Sequence, residues 1–160
     1  MRELRFLTDG MLGKLTRWLR MPGHDVEYTG STDDKELIKK AKEENRILLT
    51  RDVELYRRAR TKGTEAFLVE NPNQTANLAN LAKRFHFKLE VSMESSRCPK
   101  CNNKIKAVSK TNIADKIPSS TSSNYDEFWQ CQGCGQVYWR GAHWKRIDET
   151  LEEAKQAVPD

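Results

Sequence analysis

The absences in this chain narrow it first. No apolar run approaches the roughly 20 residues that a membrane helix requires, and 32% of the 160 residues are charged, so a membrane partner is not expected. The opening stretch Met1-Arg2-Glu3-Leu4-Arg5-Phe6 lacks the apolar segment and small-residue cleavage site of a secretory leader, which makes the cytoplasm the expected location. There is no basic tail. The net charge of +5 divides into +3 over residues 1–95 and +2 over 96–160, so any contact with a polyanion has to come from folded surface. No internal repeat is visible. Cysteine is absent from the first 97 residues and then occurs four times. That asymmetry implies two modules, residues 1–92 and residues 93–160.

The first module reads as strand and helix in alternation. Leu4, Phe6 and Leu7 run into Thr8-Asp9-Gly10, a strand ending in an acid. Met11, Leu12, Leu15, Trp18 and Leu19 then recur at helical spacing until Pro22-Gly23, with Lys14, Arg17 and Arg20 on the other faces. Val26-Glu27-Tyr28-Thr29 is a second strand, and Asp33 and Asp34 open a helix that turns Leu37, Ile38 and Ala41 inward. Ile47-Leu48-Leu49 is a strand buried on both faces that ends in Thr50-Arg51-Asp52. A helix over 53–62 follows, with Arg57, Arg58, Arg60 and Lys62 towards its C-terminal end. Ala66-Phe67-Leu68-Val69 and a helix from about 75 to 84 complete four strand–helix units. Parallel neighbours need crossover connections, so this order predicts an α/β fold with a mostly parallel sheet and helices on both sides.

In such sheets ligands collect outside the carboxyl ends of the strands. Asp9, Asp33 or Asp34, and Asp52 all belong there. Gathered carboxylates repel one another unless a hard divalent cation sits among them, and Mg²⁺ or Mn²⁺ is bound by one or two carboxylates, waters and a substrate phosphate. Each acid also has an ordinary role open to it: Asp9 as a turn residue, Asp33 or Asp34 and Asp52 as helix N-caps.

The second module is built around Cys98-Pro99-Lys100-Cys101 and Cys131-Gln132-Gly133-Cys134, separated by 29 residues. Four thiolates suit a tetrahedral Zn²⁺ and leave it no open position, which predicts a structural ion. Disulfides are the alternative in an oxidising compartment. The residue after each second cysteine often needs positive φ; here these are Asn102 and Gly135, the types that tolerate it best. The Ser-rich stretch 118–124 has little apolar surface and is expected to be a mobile loop. Residues 136–144 interleave aromatic and basic side chains, among them Trp139, Arg140 and His143. Such a mixture can stack bases and hold phosphates, or it can simply pack a module too small for its own core. A closing helix is expected from 144 to about 157.

Together these residues resemble a known family. The run Phe6-Leu7-Thr8-Asp9-Gly10-Met11-Leu12-Gly13-Lys14-Leu15 with Trp18-Leu19-Arg20, then Asp34 ahead of Ala41, Leu49-Thr50-Arg51-Asp52, Arg97-Cys98-Pro99-Lys100-Cys101-Asn102 and Tyr138-Trp139-Arg140-Gly141-Ala142-His143 is similar to the Mut-seven C-terminal RNase family, PIN-like nucleases carrying a zinc ribbon. The resemblance implies a PIN-like three-layer α/β/α domain over residues 1–92, and a four-cysteine zinc ribbon with its closing helix over 93–160. It implies a divalent-metal-dependent ribonuclease in which Asp9, Asp34 and Asp52 bind Mg²⁺ or Mn²⁺, Glu54 is a further acid, and Cys98, Cys101, Cys131 and Cys134 bind Zn²⁺. Arg17, Arg20, Arg51, Arg57 and Arg58, with Trp139, Arg140 and His143 of the ribbon, are then the expected RNA contacts. Two other readings remain: a non-catalytic zinc-ribbon RNA-binding adaptor, and a phospho-receiver domain, whose usual acid pair after the first strand is reduced here to Asp9. A protein antagonist and a homo-oligomer are both compatible with the residues.

Overall fold

Ile47–Thr50 (β3) is buried at all four positions, which requires packed layers above and below it. The computed structural model describes residues 4–30 and 33–157, with His143 described by its backbone alone. It places β3 inside a parallel sheet of order β2-β1-β3-β4, where β1 is Arg5–Thr8, β2 is Asp25–Tyr28 and β4 is Ala66–Leu68. Side chains alternate across the sheet. Phe6, Ile47 and Leu49 face helices α1 (Gly13–Arg20), α4 (Gln74–Phe85) and α7 (Ala142–Gln156). Leu7 and Leu48 face α2 (Asp34–Glu43) and α3 (Val53–Thr61). Mixed α/β architecture around a parallel sheet is therefore as expected. Burying each of these fully enclosed leucines contributes roughly 1.5–3 kcal/mol, and together they set which helix takes which face.

The helices begin where the caps dictate. The Asp33 side chain accepts from Glu36 N–H, that of Asp52 from Glu54 and Leu55 N–H, and that of Asn73 from Thr75 and Ala76 N–H. Each such cap is worth about 1 kcal/mol. The crossovers approach closely over the sheet: a Cβ on Gly10 would lie 2.5 Å from the Gly30 carbonyl oxygen, so only glycine lets the β1 and β2 loops meet.

The cysteine module holds a three-stranded antiparallel sheet of order β5-β6-β7: Ile105–Val108, Phe128–Cys131 and Val137–Tyr138. The stretch expected to be a mobile loop is not one. Residues Ser119–Asn124 form the short helix α6, after α5 (Lys110–Ile113) and a 3₁₀ turn at Ala114–Lys116. Ile113 and Ile117 on its flank bury against Phe128 and Val137, and that anchoring orders a segment with little apolar surface of its own. The expected boundary near residue 92 is crossed by α7, whose Ile147, Leu151 and Ala154 pack into the core shared with α1 and α4.

Three connections fasten the first cysteine turn to the sheet at the start of β2. Arg20 donates through Nε and Nη2 to the Val26 carbonyl and through Nη1 to that of Pro99. Asn102 accepts the Val26 N–H at 2.9 Å and donates to Asp25 Oδ1 at 2.7 Å. Arg97 donates its N–H to the Arg20 carbonyl and its Nε to that of Gly23. Asp25 in turn pairs with Arg46 at 2.9 Å. Burial works to raise the Asp25 pKa, but hydrogen bonds from Arg46 and Asn102 outweigh it and hold the carboxyl down to about 2. β2 is an edge strand, and the turn covers an N–H that edge would otherwise expose.

Candidate functional site

Two chemically distinct groups lie at opposite ends of the parallel strands. At the carboxyl ends, β1 delivers Asp9 and β3 delivers Asp52, and the loop after β2 reaches Asp34 at the head of α2. Thr50, fully buried, links the first two. Its hydroxyl donates to Asp9 Oδ2 at 2.6 Å and accepts the Asp52 N–H at 3.0 Å. The other Asp9 oxygen accepts from Met11 N–H, closing the turn into α1. The capping roles sort out the adjacent acids: Asp33 caps α2, which leaves Asp34 free of that duty and 3.6 Å from Arg58 Nη1. That ion pair is solvent-exposed and worth little, about 0–1 kcal/mol. Asp52 does cap α3, through Oδ1 only. Glu54 is exposed on the first turn of α3.

The acids share an edge without closing on one point. Among the described residues, the one set of three or more His, Cys, Asp or Glu side chains whose ligand atoms all lie within 4.8 Å of one another is Cys98, Cys101, Cys131 and Cys134. Two features of the acidic edge lie outside the expected set. In the sequence Thr50 stands as part of a motif and gives no sign of holding an acid of another strand, because its pairing with Asp9 spans 41 residues. Glu70, just past β4 and exposed, puts an acid after the fourth strand as well; the rule that singles out Asp9 and Asp52 finds it.

The basic residues divide. Arg17, Arg57 and Arg58 are exposed, and Arg51 is half-buried with its Nε lacking a hydrogen bond among the described residues. Arg20 corrects the sequence reading. Only 7% exposed, it spends its guanidinium on the Val26 and Pro99 carbonyls and is not available to guide a phosphate backbone. A surface helix position at i+3 from Arg17 looks solvated in sequence, but the cysteine turn lies over it.

In the cysteine module, Cys98 and Cys134 sulfurs are 3.8 Å apart and those of Cys101 and Cys131 are 3.3 Å apart, with no disulfide among them. Tetrahedral bonds of about 2.3 Å to a central Zn²⁺ separate sulfurs by about 3.8 Å, so the donor set and its spacing fit that ion. Asn102 has φ 76° and Gly135 φ 80°, as the turns require. Gly133 and Cys134 N–H point at Cys131 Sγ, and the Asn103 amide points at Cys101 Sγ. Such donors stabilise thiolates. Burial pushes the Cys98 thiol up to about 12, against the hydrogen bond with the Tyr138 hydroxyl. Burial also acts to raise Cys101, but its bonds from Asn103 prevail and hold it down to about 6.

Trp139 is half-buried against Phe128, with ring centres 6.2 Å apart, so it packs the module as well as facing outward. Arg140 is exposed and stacks 5.2 Å over the Trp129 ring. The His143 side chain lies outside the described residues. An apolar cavity of about 460 Å³ separates the module from α7, bounded by Met21, Met93, Tyr138, Trp139 and Trp144. No described helix is long and apolar enough to cross a membrane. No curated protein and no solved structure matches the chain. The model of one family, described as Mut7-C RNAse domain, matches residues 4–151, nearly the whole length, and the chain therefore belongs to the Mut7-C RNAse domain family.

Proposed function

We propose that this protein is a ribonuclease that hydrolyses phosphodiester bonds of single-stranded or structured RNA with Mg²⁺ or Mn²⁺, using a PIN-like three-layer domain over residues 1–92 supported by a zinc ribbon over 93–160. The observation that carries the reading is the Thr50 hydroxyl, which donates to the Asp9 carboxylate across 41 residues while accepting the backbone N–H of Asp52, so that one buried atom positions two strand-end acids from different strands. The cap of α3 has no need of the bond to Asp9. A hard cation takes one or two carboxylates and keeps several waters, so this pair suits it without all three acids converging. Asp9 and Asp52 would hold it, Asp52 through the oxygen its cap leaves unused. Asp34 would join them on release from Arg58, with Glu54 and Glu70 as outer acids acting through water.

When bound, the ion supplies charge neutralisation at the phosphodiester oxygens and a more acidic bound water. The chain's own part is orientation. Thr50 fixes the Asp9 rotamer by donating to it, and the Met11 N–H holds the second oxygen. Arg17, Arg51, Arg57 and Arg58 guide the phosphate backbone past this edge. Trp139, Arg140 and His143 contact RNA that extends to the ribbon, which is fastened at the opposite ends of the strands.

Asp52→Asn tests the reading cleanly, because asparagine caps a helix as well as aspartate does. Cleavage of an end-labelled single-stranded RNA in Mn²⁺ should fall on the order of a hundredfold or more, with melting temperature and zinc content unchanged. A variant that cuts as fast as wild type overturns the assignment. The adaptor reading draws on the capping by Asp33 and Asp52, and RNA affinity with no turnover in any divalent metal selects it.

A further inference from the structure

Among the described residues β4 has a strand on one side only. The Leu48 N–H bonds the Glu65 carbonyl, and the Val69 N–H bonds that of Thr50. Residues 65, 67 and 69 therefore turn their backbone groups towards β3, and alternation sends the N–H and C=O of Ala66 and Leu68 outward. They open into a polar groove of about 660 Å³ between α3 and α4, bounded by Tyr56, Arg60, Glu70, Asn80 and Arg84. Arg60 and Arg84 are exposed on facing walls. Arg60 lies 5.7 Å over the Tyr56 ring and Arg84 4.9 Å over that of Phe85, so each cation rests on an aromatic face of its own helix. The groove meets the acidic edge at Glu70. Its floor strand is bonded to Thr50, whose hydroxyl carries Asp9 and Asp52, and one wall is the helix that Asp52 starts.

We propose that a single RNA strand occupies this groove, with Arg60 and Arg84 on its phosphates and the free backbone groups of Ala66 and Leu68, with Asn80, on base edges. This rests on the ribonuclease reading and gives it a path for substrate on the β4 side, among residues outside the expected RNA contacts. Two paired cations match a polyanion. The Tyr56 ring and the arginine over it form a shelf on which a base stacks. Backbone donors and acceptors read no sequence by themselves, which suits a sequence-tolerant interaction. An added peptide strand fits less well, since only two residues face outward and a ladder that short holds little.

The test is equilibrium binding of a fluorescent 12-nucleotide single-stranded RNA to the zinc-loaded full chain with no added Mg²⁺ or Mn²⁺, comparing wild type, Arg60→Gln/Arg84→Gln and Lys39→Gln/Lys145→Gln. The last pair removes the same charge elsewhere. Wild type should lose amide exchange at Ala66 and Leu68 when RNA is added. The arginine pair should weaken binding about tenfold or more and lower the salt slope by about 1.4, since each phosphate that a cation neutralises on a single strand adds roughly 0.7. The lysine pair should do much less. If wild type binds RNA yet the arginine variant binds equally well and the two amides stay unprotected, the groove assignment falls and the ribonuclease reading stands. If an extended peptide, and not RNA, protects those amides, the edge is a peptide site and the proposal is overturned. If wild type binds no RNA here yet cuts it in Mn²⁺, the groove assignment alone falls; if it neither binds RNA nor cuts it in Mn²⁺, the ribonuclease reading fails and takes the groove with it.

Discussion

His24 should make this fold lose stability between pH 6.5 and pH 4. Its ring stands edge-on to two aromatic rings, 4.4 Å from Phe87 and 5.6 Å from Phe6, and its Nε2 is buried without a hydrogen-bond partner among the described residues. Burial, and then the charge of Arg97, lowers its pKa to about 4. The unfolded chain takes up the same proton near pH 6.5. Because the folded value is the lower of the two, the contribution is fully present above about 6.5 and is lost as pH falls towards 4, below which no more is lost. At pH 5, about 1.5 pH units below the unfolded value, protonation favours the unfolded chain by about 2 kcal/mol, against a few tenths at pH 7. At roughly 2–4 °C per kcal/mol for a chain of this size, that is about 4–8 °C in melting temperature. His24→Phe keeps the aromatic packing and removes the titration. Calorimetry at pH 7 and pH 5 on both zinc-loaded proteins should show the variant gaining about 4–8 °C relative to wild type, since all other titrating groups are common to the two. Parallel shifts, or an NMR titration of His24 with a midpoint near the unfolded value, would refute the reasoning.

The clasp between the cysteine turn and β2 can be dissected at one residue. Asn102→Gly keeps the positive φ but loses the bonds to Asp25 and to the Val26 N–H, and should cost about 2–4 kcal/mol by urea denaturation. Asn102→Ala should cost about 1–2 kcal/mol more, for the left-handed backbone; equal stability of the glycine variant and wild type would show the clasp to be idle. Metal analysis of the purified chain should find one zinc, and Cys131→Ser should lose it along with the ordered near-ultraviolet signal of Trp129 and Tyr138. Retention of full zinc by that variant would remove Cys131 from the ligand set.

The four strand–helix units were legible because each rule involved acts locally. Short apolar runs mark the strands, a 3.6-residue period marks the helices, and Asp33 and Asp52 mark two of their starts. The cysteine turns were legible for the same reason, down to the positive φ of Asn102 and Gly135. The Ser119–Asn124 helix was not. Its residues are weak helix formers, and what orders them is Ile113 and Ile117 anchored against strands that arrive later in the chain.

From the sequence alone came the α/β class, two Cys-x-x-Cys pairs, and acids at the strand ends, since each depends on residues a few positions apart. Tertiary structure decided which of those acids are joined and which arginines remain at the surface. Thr50 reaches Asp9 across 41 residues, Asn102 reaches Asp25 across 77, and Arg20 is drawn under a turn that begins 78 positions later. Hydrogen bonds at such separations leave no periodic trace, because their partners meet only after strand order and layer packing have been set by the burial of apolar faces.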